Sequence, residues 1–182
     1  MIDGLPAHVL FVHAVVVLVP LAALALVVCA AWPSAARRLG LALPLLALVA
    51  LAFVPVTTHA GEWLEGHVRE GELVERHTSL GDGVLPWAIG LAVVAVGVWW
   101  LGRGRSADSQ GADSAGRPAA SRARLAAVPV RIVAVVLALV VGAGSVVAVY
   151  RAGDSGATAA WHDKYSKSSL HHGEGGEDGD GD

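Results

Sequence analysis

Charge is what this chain lacks most. Asp, Glu, Lys and Arg make up only 16% of its 182 residues, against about a quarter in an average soluble domain. The first basic residue is Arg37, and the opening stretch carries only Asp3. A cleaved signal peptide is therefore not expected, because its first region would be basic. There is a single cysteine, Cys29, which excludes an intrachain disulfide framework. It sits in an apolar run behind Val28, where a lipoprotein signal would have a small residue, so it reads as a small buried hydrophobe. No basic patch interleaved with aromatics suggests nucleic acid. Neither a nucleophile elbow nor a phosphate loop is present, which disfavours the mechanisms of soluble enzymes. We find no internal repeat.

What the chain has is apolar sequence in blocks. Hydrophobic residues make up 54% of it and the mean hydropathy is +0.57. Only helices and closed barrels satisfy their backbone inside lipid. These runs are too long and continuous for the alternating strands of a barrel. The expected fold is all-α: a polytopic membrane protein with a four-transmembrane-helix bundle. Its domain covers about 1–161, with spans at about 7–32, 39–59, 80–101 and 125–150, each near the ~20 residues that a bilayer requires. Residues 102–123, rich in Gly, Ser, Ala and Arg, read as a flexible cytoplasmic loop. Residues 162–182 form a low-complexity tail of acidic and histidine residues, expected to be disordered. Trp32, Trp63, Trp87, Trp99, Trp100 and Tyr150 fall near span ends, where amphipathic rings sit best. Ala134, Ala138 and Gly142 recur every fourth residue and suggest a close-packing face for another helix.

The basic residues orient the bundle. Arg37 and Arg38 lie in the first connection, and Arg103, Arg105, Arg117, Arg122 and Arg124 in the third. The second connection carries Glu62, Glu65, Glu70, Glu72 and Glu75 against Arg69 and Arg76. By the positive-inside rule both termini are expected outside the cell (inner or plasma) membrane, with two basic loops inside.

All eight histidines then fall on the outer side. His8 and His13 begin the first span, His59 ends the second and His77 precedes the third. These four come from three helices at similar depth. Histidine at membrane depth is costly and commonly faces the protein interior, and convergent imidazoles bind metal ions or haem iron. Residues five apart on a helix differ by about 140° in azimuth and ~7.5 Å in height. His8 and His13 therefore cannot chelate together, and His13, deeper in the apolar run, is favoured. His59 and Glu62, three apart, can face one way as two ligands. Asp82 could serve as an acceptor behind His77. Arg76 and Arg151, at the same level, could pair an anion such as a haem propionate. The competing reading is hydration in the headgroup layer, which is the expectation for His67 and the tail histidines.

The motif "HVLFVH" at His8–His13 resembles the two-histidine opening of the bacterial domain-of-unknown-function 2231 family. The resemblance continues through Gly61, through His77 and Gly81, and through "VYRAGDSGATAAW" at Val149–Trp161. Val9 and Ala14–Val15 stand where the family has prolines. The resemblance implies a small membrane protein, predominantly four-helical. It also implies a link to electron transfer, since some relatives are fused to Rieske-type or cytochrome c-type domains, and a polar core of His8, His13 and His77.

The expected function is a redox-associated, haem- or metal-binding membrane module without turnover of its own. Its site would use His13, His77, His8, His59 and Arg151, with Glu62 as a further metal ligand and haem b or a transition metal as cofactor. The expected partners are the lipid bilayer, membrane redox proteins and a second copy of the chain. The alternative is a non-catalytic structural or accessory membrane subunit. A transporter is disfavoured because no ionisable residue falls at the bilayer midplane.

Overall fold

The computed structural model describes residues 7–68, 71–111 and 117–162, and every element among them is a helix. Helix α1 (Ala7–Ala31) is apolar all round, as a helix immersed in lipid and protein must be. Pro33, well suited to a first helical position, starts the short α2 (Pro33–Leu39). Gly40 then adopts φ 50°, its N–H bonded to the Ala36 carbonyl. That left-handed step, which glycine takes without steric cost, turns the chain into α3 (Ala42–Glu65). Next comes α4 (Glu72–Asp82), with Glu72 and Glu75 in its first turn, where the positive end of the helix dipole favours carboxylates. Gly83 separates α4 from α5 (Val84–Gly111), and α6 (Arg117–Trp161) completes the fold.

Four helical stretches are long and apolar enough to cross a membrane: Ala7–Ala31, Ala42–Glu65, Glu72–Arg103 and Val128–Trp161. They form a closed ring in which α1 packs on α3, α3 on α5, α5 on α6 and α6 back on α1. Helix α4 lies chiefly on α6. The core is built from small residues with a few large ones: Val19, Leu26, Leu43 and Leu91 are fully buried among Ala22, Ala50, Ala88, Ala95 and Ala138. Small side chains let the backbones approach, which is how helices associate in lipid. The outward faces carry Val17, Leu24 and Val93, each more than 60% exposed. In water such faces would aggregate; in hydrocarbon they are solvated.

The helices outrun the expected spans. The segment at 102–123 is helical over much of its length, since α5 continues to Gly111 and α6 begins at Arg117. Alanine and arginine are strong helix formers, and Pro118 suits a helix start. The third crossing is two helices rather than one, broken at Gly83. The stripe of Ala138 and Gly142 is filled within the chain: a Cβ built on Gly142 lies 3.6 Å from both Ala23 and Val27 of α1. At that same interface, near the other end of the bundle, the Arg131 guanidinium donates to the Ala31 carbonyl that closes α1. The tail at 163–182 lies outside the described residues.

Candidate functional site

The start of α1, the end of α3, helix α4 and the end of α6 meet at one end of the bundle. Two imidazoles occupy that meeting point. The rings of His8 (α1) and His77 (α4) stand 6.0 Å apart, centroid to centroid, with planes at 82°. Both residues are half-buried.

Each ring is anchored in the same way. His8 Nδ1 lies 3.0 Å from the Thr57 carbonyl of α3, and His77 Nδ1 lies 3.0 Å from the Ala152 carbonyl of α6. A carbonyl oxygen can only accept, so each Nδ1 carries the proton and donates. In the neutral ring the lone pair then resides on Nε2. Both accepting carbonyls sit four residues before a glycine, Gly61 and Gly156. A Cβ built on Gly61 would come within 3.0 Å of His8 Nδ1, and one on Gly156 within 2.8 Å of His77 Cε1. Glycine at these two places is what lets an imidazole lie on the helix backbone and reach a carbonyl already within the helical ladder. The device occurs twice, once tying α1 to α3 and once tying α4 to α6.

Ser155 supports the second anchor. Its hydroxyl donates to the Ala152 carbonyl at 2.8 Å and lies 3.2 Å from His77 Nδ1, which shares its proton between the two oxygens. Because Nδ1 is a donor here, His77 cannot take a proton from Ser155, and a serine–histidine nucleophile is excluded in this arrangement. Thr57 is buried, and its own hydroxyl bonds back to Phe53 at 2.7 Å.

The other expected site residues stand apart. His13 is exposed on α1, with Nδ1 turned 2.6 Å from Val9 O of its own helix. The reason is the azimuth: once His8 faces the bundle, a residue five positions later cannot. His13 therefore stands apart from the His8–His77 pair. His59 pairs with Glu62 at 3.1 Å, but the two side chains are 89% and 61% exposed, so this pair faces outward. Asp82 is exposed at the end of α4, and His67 stacks on Trp63, 4.1 Å between ring centres. Arg76 and Arg151 line a groove between α4 and α6, beside the imidazole pair. Among the described residues no group of three or more His, Cys, Asp or Glu gathers. The sequence reading missed the accepting carbonyls and Gly156's part. A helical glycine costs up to about 1 kcal/mol, so one held in mid-helix signals close approach.

Neither a curated protein nor a solved structure matches the chain. A family model does, over residues 4–168, and its description is a predicted membrane protein. The match takes in His8, Gly61, His77 and Gly156 together, and on it the chain belongs to the DUF2231 family of predicted membrane proteins.

Proposed function

We infer that this protein is a membrane module that holds a transition-metal ion between His8 and His77 and serves membrane redox chemistry, with no substrate turnover of its own. The observation that carries the reading is the paired Nδ1 anchor. Metal-ligating histidines nearly always donate their other ring N–H to a carbonyl or carboxylate, which fixes the tautomer and presents the opposite nitrogen. Both rings are arranged so. A metal ligated by an imidazole nitrogen lies about 3 Å from the ring centre, given a bond of about 2 Å. The centroid separation of 6.0 Å is close to what two imidazoles on one ion would have, with each ring turned so that its Nε2 faces the ion.

The donor set restricts the metal's role. Two imidazoles do not make a closed structural zinc site, which needs four ligands. Remaining positions would fall to water or to a group brought by a partner, as an open redox or transfer site requires. The rings lie directly on helix backbones at Gly61 and Gly156, which favours a bare ion over a haem. The charge asymmetry of the loops supports placing this end outside the cell membrane.

Metal analysis and an absorption spectrum of the detergent-purified protein test the reading. About one metal per chain is expected, lost in His8→Ala and His77→Ala and kept in His13→Ala. Absence of stoichiometric metal from the wild type would overturn it, and a Soret band would replace the ion with haem.

A second reading rests on the same anchors. The two Nδ1 bonds join helix pairs without any ligand, as a structural or accessory subunit would need. Under it, His8→Ala lowers the unfolding temperature equally with and without a chelator. Under the metal reading, the chelator itself destabilises the wild type.

A further inference from the structure

Helix α6 is 45 residues long, about 68 Å at 1.5 Å per residue, whereas the hydrocarbon layer is ~30 Å thick. Its apolar run ends at Tyr150, and the next residue is Arg151. Arg151 therefore stands where the hydrocarbon gives way to the headgroups. Helix α4 packs on this part of α6 and brings Arg76 to the same level. Between them is a groove of about 440 Å3, lined by Leu73, Arg76 and Leu80 of α4 and by Arg151, Asp154 and Thr158 of α6.

The charges in this groove are unspent. Among the described residues the one ion pair joins His59 and Glu62, so Arg76, Arg151 and Asp154 face the groove without a salt bridge. Two guanidiniums and one carboxylate form an unusual lining. The guanidinium fork matches a phosphate's oxygens. The carboxylate one helical turn beyond Arg151 suits a cation, and Leu73 and Leu80 offer apolar surface on the groove wall. The volume lies within the range of small-ligand sites, roughly 300–1,000 Å3.

We propose that the Arg76–Arg151 groove binds the headgroup of an amine-bearing zwitterionic phospholipid, with the two arginines on the phosphate and Asp154 on the ammonium. The charge pattern sorts headgroups by chemistry. Phosphatidylethanolamine satisfies all three groups. Phosphatidylcholine has no N–H to donate to Asp154, and phosphatidylglycerol has no cation to offer it.

Native mass spectrometry of the full chain from nanodiscs holding equal parts of the three lipids tests this. The wild type is expected to retain one phosphatidylethanolamine about tenfold over phosphatidylcholine, a preference worth about 1.4 kcal/mol. The doubly substituted Arg76→Ala, Arg151→Ala protein loses retention of all three lipids, because each carries the phosphate that the arginines hold. Asp154→Asn still retains lipid but no longer favours phosphatidylethanolamine over phosphatidylcholine or phosphatidylglycerol. Circular dichroism unchanged among the variants keeps a folding defect from imitating these results. Equal retention of the three lipids by the wild type overturns the proposal. So does displacement of the lipid by millimolar glycerophosphoethanolamine, which would assign the groove to a soluble phosphate.

Discussion

Two glycines decide how closely imidazoles approach the backbone in this protein. Gly61→Ala and Gly156→Ala would each place a methyl group against a histidine ring, at 3.0 and 2.8 Å. Overpacking of this kind costs about 1–3 kcal/mol, and the tighter contact at Gly156 should cost more. The signature is non-additivity. Combined with His77→Ala, the Gly156→Ala change should lose most of its penalty in thermal unfolding, because the ring it strikes is gone. A full penalty in the double variant would show that the glycine serves some other purpose. Gly153, on the same helix, is the control: a Cβ there meets nothing within 4 Å, so Gly153→Ala should be neutral or stabilise by up to about 1 kcal/mol.

At the scale of elements, the closest approach at any described glycine lies in the seam between α5 and α6. A Cβ built on Gly144 lands 2.0 Å from the Trp87 ring. Next to it, Ser145 is fully buried, donating to Val141 at 2.6 Å and lying 3.3 Å from the Trp87 carbonyl. Gly144→Ala cannot be accommodated unless the indole moves. It should lower the unfolding temperature more than any other glycine substitution on α6, and Trp87→Leu should restore part of the loss. An unchanged transition for Gly144→Ala would mean that Trp87 repacks freely. The small-residue stripe of α6 is consumed by this packing on one side and by α1 on the other.

For the whole molecule, the arrangement of charge makes a statement about sidedness. With Cys29→Ser removing the one native thiol, single cysteines at two exposed positions report on each end. His67→Cys, at the histidine end, should react with a membrane-impermeant maleimide in intact cells. Ser34→Cys, at the Arg37–Arg38 end, should react only after lysis. The reverse pattern would invert the bundle and place the histidine pair inside.

Apolar block length and the scarcity of charge were enough to read a helical membrane protein and its four crossings, because lipid leaves the backbone almost no alternative. That His8 and His77 lie at the same end of the bundle was legible for the same reason, since height along a helix follows directly from residue count. Azimuth was not. Which of His8 and His13 faces the bundle depends on how α1 is rotated against α3 and α6, and α1 is apolar all round, so its own pattern names no inner face. The break at Gly83 and the docking of α4 on α6 were equally hidden, because a short polar helix is held by its neighbours rather than by its propensity. Composition and periodicity thus determined the environment, the crossings and the end of the bundle at which His8 and His77 lie. Tertiary packing alone chose the residues that meet there, because side chains on separate helices converge only once interhelical rotations are set by contact.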